Sequence, residues 1–322
     1  MGYPVFISRP IPEIALSLLE PDCDIDMWND AGTPPPLEER IARVAGLLSY
    51  GHEPITVDLM AKARDLRVIS VVGVGYDHVD IAAAARRGIA VGHTPGTLDD
   101  TVADLTFGLI LAVARNLTAG HEFVRRGLWK NFNPNFMWGA DVHHSTLGII
   151  GMGSIGSAIA ERAEAFHMRV LYHNRRPRPE CGKKYHARYV ELDALLAESD
   201  FVVIQTPLTD QTHHLIGERE LSIMKKTAYL INSARGPVVD SIALVKALQT
   251  RSIAGAALDV FDPEPPLPDD PLLTMENVVL CPHLGSATVQ TRTRMAVMAA
   301  ENLLAGLKNQ PMPHQVNYQA GV

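Results

Sequence analysis

Cysteine is scarce in this chain. There are three in 322 residues, Cys23, Cys181 and Cys281, and no two form a CxxC pair. An odd, scattered set argues against a disulfide framework and suggests a reducing compartment with buried or idle thiols. Positive charge is also in short supply. The formal net charge is -7 and the pI about 6.0, so the molecule as a whole offers nucleic acid no footprint. Long apolar runs are missing too. The most apolar segment, LTFGLILAVA at 105–114, lies between Asp104 and Arg115 and is too short to cross a bilayer. The opening MGYPVFISRPIPE has no basic stretch followed by a long apolar core, and Phe6 stands where a myristoylation signal needs Ser or Thr. These absences lead to the expectation of a cytoplasmic protein. What is present is ordinary for a globular one: 47% apolar and 20% charged residues, with length enough for two domains.

Strand and helix patterns alternate along the first hundred residues. PVFIS (4–8) reads as a strand and EIALSLLE (13–20) as a helix; a stiff TPPP linker (33–36) precedes a helix–strand pair ending in GLLS. TVDLMAKA (56–63) reads as a helix capped by Thr56, RVISVV (67–72) as a buried strand, and Asp80 opens a short helix that stops at Gly88. One long helical pattern then runs from Leu98 to about Arg126, followed by an irregular, aromatic-rich loop, WKNFNPNFMWGADVHH. A second alternating block starts at Thr146, with strands TLGII, RVLYH, FVVI, AYLI, IAGAALD and NVVL. The final helix runs from Ser286 to about Leu307. Such alternation predicts an α/β protein with parallel, doubly wound sheets. There is no internal repeat and no low-complexity segment.

The glycine pattern Gly151-x-Gly153-x-x-Gly156 is weak evidence by itself, but here an apolar strand runs into it and a helical pattern leaves it. In that setting Gly151 permits a tight turn, Gly153 lets the backbone approach a pyrophosphate, and Gly156 lets helix and strand pack closely. The helix N-terminus supplies N–H groups for the anion. The loop residues Met152, Ser154 and Ile155 are candidate contacts with them. Eighteen residues after Gly156, at the end of the next strand, stands Asn174-Arg175-Arg176. A carboxylate in this place would bind a ribose 2′-hydroxyl; two guanidinium forks suit a 2′-phosphate instead. A charge-assisted hydrogen bond contributes about 1.5–3 kcal/mol, which predicts a preference for NADP over NAD of about tenfold or more.

Three further residues follow strands of the second block: Arg235 in INSARG, Glu264 in LDVFDPEPP and His283 in CPHLGS. Ligands of open α/β sheets bind beyond the carboxyl ends of the strands. A cation for a carboxylate, an imidazole as proton donor and a carboxylate to support it are what reduction of a 2-keto acid needs beside a nicotinamide.

VGVGYDHVD, GIIGMGSIG, INSARGPVVD, ALDVFDPEPP and CPHLGSAT occur in that order. Over essentially its whole length the chain resembles the D-isomer-specific 2-hydroxyacid dehydrogenases. DVHHSTLGIIGMG and YHNRRPRP make it most similar to the NADP-preferring glyoxylate/hydroxypyruvate and 2-ketogluconate reductases. The resemblance implies a Rossmann-type cofactor domain (99–289) inserted into a smaller flavodoxin-like substrate domain (1–98 and 290–322), with substrate in the cleft between them. It implies NADPH-dependent reduction of a small 2-keto acid. Arg235 binds the carboxylate and keto oxygen, His283 is general acid, and Glu264 favours the imidazolium. Backbone N–H groups of Val74 and Gly75 complete the carboxylate site. Thr101, Thr206, Pro207, Ser233, Ala234, Asp259 and Gly285 match cofactor-lining positions, as do Arg235 and His283. Ser154 departs from the arginine of many relatives, and Cys281 from a common threonine; the latter reads as a small buried residue.

The adjacent pairs His143-His144 and His213-His214 should have diverging side chains, and no HExxH is present, so no metal is expected. The family implies a homodimer whose corresponding loop can reach the partner's active site; Phe136 and Trp138 read either as dimer packing or a surface loop, or as a cap on the substrate pocket across the interface, and the apolar stripe from Val102 to Ala114 as core and interface. Alternatives are a non-catalytic dinucleotide-sensing protein on the same scaffold and a 3-phosphoglycerate dehydrogenase. Against the latter stand Asn174-Arg175-Arg176 and the lack of a C-terminal regulatory extension.

Overall fold

The computed structural model describes residues 2–29, 36–50 and 53–316. Most of the TPPP linker and two residues of the 49–53 segment, Gly51 and His52, lie outside them. The chain divides into two compact units, one of residues 1–98 and 288–322 and the other of residues 99–287.

The first unit opens with β1 (Tyr3–Ile7), α1 (Glu13–Leu19), β2 (Cys23–Met27), α2 (Leu37–Arg40), β3 (Gly46–Ser49), α3 (Val57–Lys62), β4 (Val68–Val71), α4 (Ile81–Arg86) and β5 (Ala90–Gly92). The strands form one parallel sheet in the order β2-β1-β3-β4-β5, the flavodoxin-like arrangement. β3 and β4 are buried along their whole length, as strands covered on both faces must be. Thr56 and Asp80 cap α3 and α4 as expected, accepting the N–H groups of Leu59 and Ala83. β2 and β5 were not anticipated. β2 sets two exposed aspartates between less exposed residues, of which only Cys23 is buried, and β5 has only three residues.

The second unit runs through α5 (Asp99–Ala114), α6 (Leu117–Arg125), β6 (Thr146–Ile150), α7 (Ser154–Ala165), β7 (Arg169–His173), α8 (Pro179–Tyr185), β8 (Arg188–Tyr189), α9 (Leu192–Glu198), β9 (Phe201–Ile204), α10 (Glu218–Ile223), β10 (Tyr229–Asn232), α11 (Ser241–Gln249), β11 (Gly255–Leu258) and β12 (Val278–Leu280). Its seven strands lie parallel in the order β12-β11-β10-β9-β6-β7-β8, a doubly wound sheet whose order reverses at β6–β9. The six strands expected are joined by β8, a two-residue edge strand too short to leave a periodic signal.

The expected single helix from Leu98 to Arg126 is instead two, bent by 65°. Asn116 adopts φ 51° at the break, a left-handed conformation that no helix continues through. α5 is largely buried; α6 buries none of its residues. No single helix among the described residues is long and apolar enough to cross a membrane. The chain closes with α12 (Val289–Leu307), which belongs to the first unit. Thr288 caps it, and the buried Ser70 hydroxyl of β4 donates to its Ala299 carbonyl at 2.8 Å.

Candidate active site

The glycine loop joins β6 to α7. Gly151 has φ 103°, and a Cβ there would lie 2.4 Å from the Gln205 carbonyl oxygen, so only glycine permits this turn against the end of β9. A Cβ at Gly156 would meet the Gly151 carbonyl at 2.3 Å, whereas at Gly153 it would meet nothing within 4 Å. Gly153 is also the N-cap of α7 and makes no side-chain cap, so the first N–H groups of the helix face an open approach. These are the features a dinucleotide pyrophosphate requires. Ser154 is exposed beside them, Ile155 half-buried, and Met152 fully buried.

Asn174 turns inward rather than toward solvent: its Oδ1 accepts the Met152 N–H at 2.6 Å. Arg175 and Arg176 are exposed. Arg175 Nη1 reaches Gln211 Oε1 at 3.4 Å, and among the described residues neither arginine is in a salt bridge. A third arginine, Arg178, was overlooked. Its Nη1 donates to the Met152 carbonyl at 2.8 Å and its Nε to Glu180 at 2.7 Å. Met152 is therefore held at both its N–H and its C=O by the segment that follows β7. The run RRPRPE carried this signal, since a guanidinium five residues past the strand is within reach of the turn above it.

Arg235, Glu264 and His283 follow β10, β11 and β12, three neighbours in the sheet. The buried Asn232 shapes the first loop, accepting the Ala234 N–H and donating to the Arg235 carbonyl. Arg235 Nη1 folds onto the Ala234 carbonyl at 2.8 Å. A Cβ on Gly236 would lie 1.7 Å from the Phe261 carbonyl oxygen, so the loop bearing Arg235 and the loop bearing Glu264 touch backbone to backbone. Glu264 Oε2 accepts the Phe261 N–H at 3.1 Å, and its Oε1 stands 2.6 Å from His283 Nδ1. That contact identifies Nδ1 as the protonated nitrogen.

His283 has φ 53°, an uncommon backbone state for a residue with a side chain. Asp259 holds it there. The Asp259 carbonyl accepts the His283 N–H at 2.9 Å, and its carboxylate accepts the N–H groups of Leu284 at 2.6 Å and Gly285 at 2.8 Å. Burial pushes the Asp259 carboxyl up from its ordinary range, while those amides and His283 oppose the rise. Ser233 is bonded on both sides, by Gln205 Nε2 at 2.6 Å and by the Thr106 hydroxyl at 2.8 Å. Thr206 follows β9 against Gly151, Pro207 is exposed and accepts the Thr212 hydroxyl, and Thr101 lies in the first turn of α5. Val74 and Gly75 lie in the loop after β4 of the first unit, both half-buried.

Cys281 is half-buried, not buried as expected, and desolvation followed by the nearby Asp259 pushes its thiol up, away from reactivity. The histidine pairs also differ from expectation. The rings of His213 and His214 stack at 4.0 Å and those of His143 and His144 meet edge-on at 5.2 Å. Positive φ at His144 and His214 breaks the alternation that would have separated them. Among the described residues no group of His, Cys, Asp or Glu could hold a metal ion.

Residues 107–285 match the family model described as D-isomer specific 2-hydroxyacid dehydrogenase, NAD binding domain. The chain belongs to this family. It is 46% identical to a glyoxylate reductase of Korarchaeum cryptofilum over 98% of this chain and 96% of that one. It is 45% identical to a glyoxylate reductase of Pyrococcus horikoshii over 97% and 95%. Among solved structures it is similar to the TT0316 protein of Thermus thermophilus, with TM-score 0.90 and 44% identity over 98% of this chain and all of that one. It is similar too to an NADPH-dependent glyoxylate/hydroxypyruvate reductase of Sinorhizobium meliloti in complex with NADP and malonate. There the TM-score is 0.83 and the identity 33%, over 98% and 97% of the two chains.

Proposed function

We propose that this member of the family is an NADPH-dependent reductase of small 2-keto acids, with glyoxylate its first substrate and hydroxypyruvate and 2-ketogluconate as further ones. The observation that carries the reading is the 2.6 Å contact of His283 Nδ1, after β12, with Glu264, after β11, the strand next to the one that leads to Arg235. Glu264 engages Nδ1, and in this reading Nε2 is the nitrogen that addresses the substrate oxygen. His283 donates its Nε2 proton to the keto oxygen as the alcohol forms, and accepts it back in the oxidation direction. Glu264 fixes the ring's orientation and stabilises its positive charge. The Arg235 fork is assigned to the substrate carboxylate and keto group, and the Val74 and Gly75 amides are assigned carboxylate contacts by the family resemblance. A nicotinamide dinucleotide bound over the glycine loop supplies the hydride. Thr101, Thr206, Pro207, Ser233, Ala234 and Gly285 line its path.

NADP is the preferred form in this reading because Arg175 and Arg176 stand exposed at the end of β7 with no carboxylate in a salt bridge to either among the described residues. The relative from Sinorhizobium meliloti, which holds NADP, supports the same choice. A homodimer fits the exposed apolar surface of α6 and the loop after it, where Leu117, Val124, Trp129, Phe132 and Trp138 are all more than half exposed. The three free thiols suit a reducing cytoplasm. The test is steady-state kinetics with glyoxylate and each cofactor. kcat/KM is expected to favour NADPH by about tenfold or more, and the Arg175→Ala, Arg176→Ala double variant to narrow the gap. Equal efficiency with both cofactors in the unmodified enzyme would overturn the NADP assignment.

A further inference from the structure

Two carbonyl groups of the loop after β4 (residues 73–77, GVGYD) are held from one short stretch of chain just past β5. The Gly73 carbonyl accepts the Thr94 N–H at 2.8 Å, and the Val74 carbonyl stands 3.0 Å from His93 Nδ1. A carbonyl oxygen can only accept, so the proton of this bond sits on Nδ1. The cis bonds among the described residues are Asp262–Pro263 and Glu264–Pro265, so the peptides after Gly73 and Val74 are trans. In a trans peptide the C=O and the N–H point in opposite directions. With both carbonyls drawn toward residues 93 and 94, the N–H groups of Val74 and Gly75 leave the loop side by side on its other face. Adjacent N–H groups so directed make a concave receptor for an anion.

The hold exerted by Thr94 is a backbone bond that any residue there could make. The one exerted by His93 depends on its side chain, which is carried on a well-anchored stretch of backbone. The His93 N–H donates to the His314 carbonyl at 3.1 Å, and its carbonyl accepts Nδ2 of the buried Asn302 at 2.9 Å. Asn302 Oδ1 accepts the His314 N–H at 3.0 Å, which locks the tail after α12 onto the end of β5. The Tyr76 ring, from the loop itself, packs edge-on against the imidazole with centroids 5.3 Å apart.

The geometry points to His93 as a positioning residue: its Nδ1–H holds the Val74 carbonyl so that the Val74 and Gly75 amides face a substrate carboxylate. This rests on the reading of those amides as carboxylate contacts given above. His93→Phe keeps a ring of similar bulk and removes the donor, whereas His93→Asn places an amide N–H close to where Nδ1 stands. Losing one such bond corresponds to about a tenfold change. His93→Phe is expected to raise the KM for glyoxylate about tenfold while the KM for NADPH stays within about twofold, and His93→Asn to return the glyoxylate KM toward the unmodified value. An unchanged glyoxylate KM in His93→Phe, or an equal loss in both variants, would overturn the proposal. Nitrogen-15 NMR of the unmodified protein decides the donor without any variant having to fold. A protonated Nδ1 is expected, and a proton on Nε2 with a bare Nδ1 would overturn it. If the unmodified chain oxidises no NADPH with glyoxylate, the functional reading fails and takes the carboxylate role with it; the tautomer still reports on the loop.

Discussion

Asp259 shows how much of a site can rest on a residue that never needs to meet the substrate. It is 1% exposed, and its carboxylate is fully engaged with the backbone of the turn that carries His283. The family resemblance placed it only among cofactor-lining positions, and the residues alone gave no hint of its hold on the turn, because its partners are backbone amides 25 and 26 residues away. Asp259→Asn keeps one acceptor oxygen and turns an NH2 against the other amide, so glyoxylate turnover is expected to fall by about tenfold or more. The pH dependence of stability gives a second check. The folded Asp259 carboxyl is raised above its ordinary 3.8, so in the window just above that value the native state binds more proton than the unfolded chain. Its contribution to stability is therefore full below the window and declines as pH rises through it. In urea unfolding across mildly acidic pH, the unmodified protein should show this decline relative to Asp259→Asn. Parallel pH profiles would contradict the assignment. The placement of Arg235, Glu264 and His283 was legible for the opposite reason: each follows a strand, and the three together suggest a chemistry that has few other uses for that combination.

At the scale of elements, legibility follows period and length. Strands buried on both faces, such as Val68–Val71 and Phe201–Ile204, stand out as continuous apolar runs. β2 was missed because Asp24 and Asp26 occupy its outer positions, and β8 because two residues carry no period. The break at Asn116 was missed because the apolar pattern continues across it while the backbone does not. Caps were the more dependable local signal at Thr56 and Asp80, whereas the last helix, expected from Ser286, starts after Thr288. Thr288 accepts the Thr291 N–H at 3.2 Å at the start of α12, and Thr288→Ala is expected to cost about 1 kcal/mol. For a domain of this size that lowers Tm by about 2–4 °C. Thermal unfolding followed by circular dichroism checks it; an unchanged Tm would mean the cap contributes nothing.

At the scale of the molecule, the two-unit architecture was readable from strand–helix alternation interrupted by a long helical stretch. A second copy was expected only from the family resemblance, since α6 and the aromatic loop look like any amphipathic surface segment until their exposure is known. The loop is held in place internally: Trp138 Nε1 donates to the Pro134 carbonyl, Asn116 Nδ2 to the Met137 and Trp138 carbonyls, and Phe136 packs on Phe123 at 4.7 Å. A segment so ordered and yet so apolar suits contact with a second copy. The Phe136→Ala, Trp138→Ala double variant is expected to raise the KM for glyoxylate and shift substrate preference. The unmodified chain should scatter light as a dimer. Unaltered KM and preference would remove these aromatics from the partner's pocket.

The central claim is that the Glu264-supported imidazole of His283 gives up a proton as a 2-keto acid is reduced. Its most direct test is the initial rate of glyoxylate-dependent NADPH oxidation by the unmodified enzyme and by His283→Ala, with folding of the variant checked by circular dichroism. Ready turnover is expected of the first and a loss of about 10²–10⁴-fold in kcat of the second. A variant that keeps its rate within a few-fold, or an unmodified chain that leaves NADPH unoxidised, would contradict it.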